Sequence, residues 1–131
     1  MRNIVSAETS VLLYEPVGGS PAASVTKEVV PAGTLACLRG YGMFQFPSGA
    51  SSASTLYRTQ ADFMTTSDSS TPIFSDLCAE YLLTGPNFMI GPFVFIDIPG
   101  DGIRFEDGLF IKMSRTSPVV GHNTLLQVFY T

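Results

Sequence analysis

The stretch Ile103-Arg104-Phe105-Glu106-Asp107-Gly108-Leu109-Phe110-Ile111-Lys112-Met113 alternates apolar and polar residues on either side of an acidic, glycine-containing break. Period-two alternation marks strands with one buried face. The turn is placed by asking which register gathers the apolar side chains. A two-residue turn at Asp107-Gly108 pairs Phe105 with Phe110 and Ile103 with Lys112, and sets Arg104 beside Leu109 and Ile111. A three-residue loop, Glu106 to Gly108, pairs Phe105 with Leu109 and Ile103 with Ile111. Ile103, Phe105, Leu109, Ile111 and Met113 then share one face, and Arg104, Phe110 and Lys112 the other. Burial of one face sets register, so a hairpin with the three-residue loop is expected, with Gly108 at its left-handed position.

The same pattern extends outward. Phe93 to Ile98 is apolar on both faces except at Asp97, which predicts a central strand covered on both sides. Pro99-Gly100-Asp101-Gly102 turns the chain. After a loop at Ser114 to Asn123, Thr124 to Thr131 reads as a final strand, its last residues tied into a sheet. Toward the N-terminus, strands are expected at Val11–Tyr14, Ser24–Val30 and Met43–Phe46. Thr34–Leu38 is expected to complete a hairpin with Ser24–Val30 across Pro31-Ala32-Gly33. Gly18-Gly19-Ser20-Pro21 is a turn on composition. Ser48 to Ser54 and Thr65 to Ser70 are small and polar, hence loops. Thr55–Met64 between them has no clear type. One helix is expected, Pro72 to Leu83, with Thr71 as N-cap, or Ser75 if it begins a turn later. Ile73, Leu77 and Tyr81 recur there at four-residue spacing beside Phe74, Cys78 and Leu82, and Thr84-Gly85-Pro86 stops it. The fold class is therefore mainly β: an antiparallel β-sandwich or barrel with one short α-helix near residues 72–83. A single domain, 11–131, follows a candidate N-terminal arm, Met1 to Ser10.

Composition narrows the function. The chain has 131 residues, enough for one domain with a real core. Apolar residues make up 45%, but charged residues only 14%, against about 25% in a typical soluble domain. Polarity comes instead from 26 Ser and Thr residues. Mean hydropathy is +0.27 and the pI is near 4.7. Seven basic residues against eleven acidic ones leave a net charge of −4 and no basic stripe for phosphates, so no nucleic acid is expected as a partner. No apolar run reaches the length of a membrane span, the longest, Phe88 to Ile96, being broken by Gly91-Pro92, and no signal peptide is read at the N-terminus. Cys37 and Cys78, each among apolar neighbours, are expected to be buried free thiols.

Catalysis needs convergent titratable groups. The single histidine, His122, reads as a surface turn residue with no orienting carboxylate or nucleophile nearby in sequence. A zinc site would have to be assembled from Cys37, Cys78 and His122, which are far apart. Asp97, Asp101, Glu106 and Asp107 lie close together near glycines and could be imagined around calcium. Asp in turns bonding its own backbone is the simpler account. No P-loop, dinucleotide fingerprint, nucleophile elbow or CxxC is present. No cofactor, metal or enzymatic activity is expected.

The segment Gly102-Ile103-Arg104-Phe105-Glu106-Asp107-Gly108-Leu109-Phe110-Ile111, followed by a polar loop and a strand ending in Val128-Phe129-Tyr130, resembles the C-terminal end of small virion proteins of tailed bacteriophages. Those proteins are often capsid decoration (cement) proteins or related head components. The resemblance covers about the last thirty residues, and it implies a β-rich module that assembles as trimers or dimers on a capsid lattice, with no catalytic residues. The expected function is a structural virion protein that binds and stabilises a head shell, with the major capsid protein or another virion protein as partner and the virion as its location. Charge-poor, Ser- and Thr-rich surfaces suit permanent contacts. Candidate contacts are Met1, Arg2, Asn3, Ile4 and Val5 of the arm, Ser48, Ser51 and Ser52 of one loop, and Thr65 and Ser67 of another. A tail, adaptor or head-fibre component is one alternative. A carbohydrate- or ligand-binding β-module lined by Tyr41, Tyr57 and Tyr81 is another.

Overall fold

A computed structural model describes residues 7–14, 24–47, 55–82, 93–115 and 122–131, and every regular element among them is a strand. The strands are β1 (Glu8–Tyr14), β2 (Ser24–Val30), β3 (Ala36–Pro47), β4 (Thr55–Met64), β5 (Phe74–Leu82), β6 (Phe93–Asp97), β7 (Ile103–Phe105), β8 (Leu109–Arg115) and β9 (His122–Tyr130). They form two antiparallel sheets. One runs β1-β9-β3-β6, with β7 also on β3; the other runs β2-β8-β4-β5. The sheets pack face to face as a β-sandwich. Their shared core includes Leu38, Tyr41, Met43, Leu126 and Val128 from the first and Ala61, Phe63, Leu109, Ile111 and Met113 from the second.

β6 and β7 lie end to end along one side of β3. β6 pairs with Gly40–Phe44 and β7 with Ala36–Leu38. The register of β3 slips at Arg39, where the chain makes the excursion 98–102, held by Ile98 N–H donating to the Arg39 carbonyl at 2.9 Å. Taken as one broken strand, β6–β7 completes the pairs β1/β9, β2/β8, β3/β6–β7 and β4/β5. Successive pairs alternate between the two sheets. This is the jelly-roll arrangement, two Greek keys wrapped into a sandwich.

The Ile103–Met113 stretch shows both what alternation determines and what it leaves open. The faces are as expected: Phe105, Leu109, Ile111 and Met113 are buried, Ile103 packs against the core, and Arg104 is exposed. The hairpin is not formed. β7 pairs with β3, whereas β8 pairs with β2 and β4 in the opposite sheet. The break at Glu106–Gly108 is a corner that carries the chain from one sheet to the other. A strand that crosses a sandwich corner keeps the same face toward the same core, so alternation reports the face and not the partner. The expected hairpin between Ser24–Val30 and Thr34–Leu38 fails for the same reason, since β2 and β3 belong to different sheets.

The helix expected over 72–83 is also absent: β5 occupies Phe74–Leu82 and pairs with β4 along its whole length. A spacing of four is a multiple of two, so Ile73 and Leu77 fall on one side of a strand as readily as on one side of a helix. Leu77 points outward, 47% exposed, while Phe74 packs on the core. Pairing with β4 overrides the local preference. Other boundaries move too. β1 begins at Glu8, so Glu8–Ser10 belong to a strand rather than an arm. Ala36–Leu38 of the expected Thr34–Leu38 strand and Met43–Phe46 merge into β3, and Thr55–Met64 is β4. The expected loop Ser114 to Asn123 loses Ser114 and Arg115 to β8 and His122 and Asn123 to β9, so that His122 opens a strand instead of sitting in a loop. Phe93–Ile98 is not central, because β6 ends the strand order of its sheet among the described strands. The turn at 18–21 lies outside the described residues.

The corner at Glu106–Gly108 is locked to the β2–β3 connection, 31–35, and to the β4–β5 connection. Asp107 accepts a hydrogen bond from Gly33 N–H on its carboxylate, its carbonyl accepts one from Thr66 N–H at 3.0 Å, and Gly108 N–H donates to the Thr34 carbonyl at 2.6 Å. Thr66 Oγ1 donates to the Val30 carbonyl at 2.6 Å. The bonds from Ser67 and then Gly33 hold the Asp107 carboxyl below the usual carboxylate range. A depressed folded value contributes stability above the ordinary carboxylate value and loses it as pH falls through the folded one. Asp107→Asn is therefore expected to make the acid-side fall in melting temperature shallower than in the wild type. Parallel acid limbs in thermal melts from pH 6 to about pH 3 would contradict this.

Candidate interaction surface

The outward faces of the two sheets differ in kind. On the four-stranded sheet, outward positions include Thr26 and Glu28 of β2, Gln60 and Asp62 of β4, Ser75 and Leu77 of β5, and Lys112 of β8, as the registers Thr26↔Lys112 and Asp62↔Ser75 require. Asp62 is tied down by Gln60 Nε2 and Ser75 Oγ, each at 2.7 Å. This face mixes charges with exposed apolar side chains, Leu77 and, just before β5, Ile73.

On the five-stranded sheet, registers place Val11, Gln127, Gly42 and Phe95 in one outward row. Thr9, Phe129, Gly40 and Asp97 form the row on one side, and Leu125 and Phe44 lie in the row on the other. Asp97 is the one charged residue of this set, and it lies at the margin with Arg39 and Arg104 beyond it. Arg39 Nε donates to Thr131 Oγ1 at 2.9 Å, and Arg104 pairs with Glu106 at 2.8 Å. An uncharged apolar centre with a polar rim is the anatomy of an interface.

Glycine shapes this centre. Phe129 and Phe95 flank β3 from opposite sides, yet their rings meet edge to face, centroids 6.0 Å apart. They can meet because Gly40 and Gly42 of β3 put no side chain between them. A Cβ on Gly42 would lie 2.8 Å from the Phe44 ring and 3.3 Å from the Phe95 ring. The aromatic rings thus cover a bare stretch of backbone. Val11 and Phe95 remain 43% and 36% exposed.

The β1–β2 margin is guarded differently. Lys27, at an inward position of edge strand β2, donates from Nζ to the Val11 carbonyl at 2.9 Å. A charge turned inward at a sheet edge discourages edge-to-edge pairing. It leaves the apolar face, rather than this edge, as the surface for association.

No protein-family model matches the chain, and no curated protein matches it in sequence.

The residues singled out from sequence are scattered. Met1, Arg2, Asn3, Ile4, Val5, Ser48, Ser51 and Ser52 lie outside the described residues. Thr65 is half-buried and Ser67 exposed, in the connection between β4 and β5, where the Ser67 side chain bonds Asp107. Tyr41 cannot line a ligand platform, because it is 1% exposed between the sheets. Its hydroxyl donates to the Asp76 carboxylate across the sandwich, and burial first, then this bond, pushes its ionisation well above the ordinary tyrosine value. The side chains of Tyr57 and Tyr81 are outside the description, as are those of His122 and Cys78. Cys37 is half-buried on β3 rather than fully buried. The acidic residues at 97–107 do not converge: Glu106 pairs with Arg104, Asp107 bonds the neighbouring corner, and no group of three or more His, Cys, Asp or Glu among the described residues could hold a metal ion. The apolar sheet face itself was missed because alternation arguments assume that one side of a strand is wet. The signal was the run Phe93–Ile98, apolar on both faces.

Proposed function

We propose that this chain is a structural virion protein of a tailed bacteriophage, of the capsid decoration type, that binds the head shell and stabilises it. The observation that carries the reading is the outer face of the five-stranded sheet, whose central rows are apolar and uncharged and whose charges, Asp97, Arg39 and Arg104, stand at one margin. Such a surface suits a chain that spends its working life in contact with other subunits. The C-terminal resemblance to phage virion proteins supports the same reading. The jelly roll is a frequent architecture of viral capsid domains but also of lectins, so the topology alone does not choose between them. Burial of Tyr41 takes one of the three tyrosines away from the carbohydrate reading.

The mechanism is mass action. A protein that binds the assembled lattice and not its dispersed subunits stabilises the lattice in proportion to its occupancy. Purified chain added to shells that lack it is expected to bind at a simple ratio to the shell subunit and to raise the temperature at which the shells open. An unchanged opening temperature with no bound chain would sink the proposal. Binding at a few copies per particle would point to a tail or adaptor position instead.

A further inference from the structure

We infer that the outer face of the five-stranded sheet is covered by a second copy of this chain, packed face to face about a two-fold axis. The inference rests on reading the chain as an assembly protein, and it assigns that surface to the chain's own copy, which leaves the shell to be met by other surfaces of the pair.

Charge is the first argument. Each copy carries a net charge of −4, so two copies repel wherever their acidic residues face each other. The rows through Val11, Gln127, Gly42 and Phe95 and through Leu125 and Phe44 contain no charge, and Asp97 lies at the end of the row beside them. On the other sheet Asp62 and Lys112 share the row through Thr26 and Ser75, and Glu28 lies in the row next to it. The five-stranded face is where like-charged copies can meet at least electrostatic cost.

The second argument is the match to the occupant. Covering Val11 and Phe95 is favourable only if the covering surface is also apolar and uncharged, because a charged partner would lose its water and find no counter-charge at the centre. The face itself meets that requirement. Two-fold packing presents the same patch from both sides, and face-to-face sheets pack well at about 10 Å separation.

The third argument is Gln127. It is half-buried in the middle of the central row. A carboxamide carries both donors and an acceptor, so it can bond its own copy across a two-fold axis. A lone central amide of this kind fixes the register of an otherwise featureless apolar contact.

The footprint sets the strength. Four strands about 4.8 Å apart and three outward rows cover on the order of 400 Å². A standard interface takes about 800 Å² from each partner, so the dimer belongs with the weak, dissociable class.

Analytical ultracentrifugation of the full chain over a wide concentration range tests this. The expected result is a reversible rise from the 14.1 kDa monomer to twice that mass, not weakened by added salt. Val11→Lys with Phe95→Lys is expected to weaken association at least about tenfold, the effect of roughly 1.4 kcal/mol, with an unchanged far-UV spectrum. Thr26→Lys, on the other sheet, is expected to leave association intact. If the double variant does not fold, Val11→Lys alone, at the exposed edge of the face, serves in its place. A wild-type chain that stays monomeric throughout, or a folded variant that associates as well as wild type, overturns the inference. Chain that dimerises but does not bind shells leaves this inference standing and sinks the shell reading; chain that binds shells as a monomer does the reverse.

Discussion

Gly108→Ala is expected to destabilise the fold by about 3–5 kcal/mol, at the far end of single-substitution effects. Two costs combine. Gly108 has φ of +81°, and holding an L-residue in that region costs about 1–3 kcal/mol. The added Cβ would also lie 2.5 Å from Thr66 Oγ1, 2.6 Å from the Val30 carbonyl oxygen and 2.7 Å from that of Pro31. Two of those three atoms are backbone and cannot rotate away. Moving them disturbs the Thr66–Val30 bond, which ties the β4–β5 connection to the end of β2, and the Gly108–Thr34 bond, which ties the corner to the β2–β3 connection. Gly100 is the control: its φ is +68°, but no atom lies within 4 Å of an added Cβ, so Gly100→Ala should cost only the strain, about 1–3 kcal/mol. Denaturant midpoints at unchanged slope measure both. Equal losses for the two variants would mean that the corner is not locked as described.

The same corner shows which part of the fold could be read from the chain. The alternation at 103–113 correctly sorts Phe105, Leu109, Ile111 and Met113 from Arg104, and it places a left-handed glycine at Gly108. It cannot say whether the next strand lies beside the last one or across the core, because both choices turn the same side chains inward. The deciding contacts are non-local: Gly33 to Asp107 and Thr34 to Gly108 span more than seventy residues. β5 illustrates a second limit. Its four-residue spacing fits a helix and a strand equally, and only the nine paired residues of β4 decide. The apolar outer face depends on register among β1, β9, β3 and β6, so no single segment displays it. Its trace in one segment is the doubly apolar run at Phe93–Ile98. The low charge content, 14%, has a location in this light: the rows through Val11, Gln127, Gly42 and Phe95 and through Leu125 and Phe44 carry no charge, and Asp97, Arg39 and Arg104 lie to one side of them.

Phe63→Ala is expected to lower stability by about 3–5 kcal/mol and the melting temperature by roughly 10–20 °C for a domain of this size. Phe63 is fully buried on β4, opposite Phe74 of β5 and Ile111 of β8. Its ring centroid lies 5.2 Å from that of Tyr41 and 5.6 Å from that of Phe74. Truncation costs the transfer energy of the ring plus the cavity it leaves, and the cavity term grows when neighbours cannot relax into the space. Here they are held. Tyr41 belongs to the opposite sheet and is anchored through its hydroxyl to Asp76, so filling the void with its ring would break that bond. Phe74 is fixed by its pairing in β5. Tyrosine ionisation gives an independent readout. Burial keeps the Tyr41 hydroxyl neutral well above its ordinary value of 10.0, so its contribution to stability is present below that value and is lost as pH rises beyond it. The cavity left by Phe63 is lined by apolar side chains and stays dry, so Tyr41, still buried and bonded to Asp76, is expected to keep its raised ionisation in an alkaline titration. A loss below about 1.5 kcal/mol, the range of well-tolerated core swaps, or phenolate absorbance that appears at the ordinary tyrosine value would mean that this aromatic cluster does not join the two sheets as described.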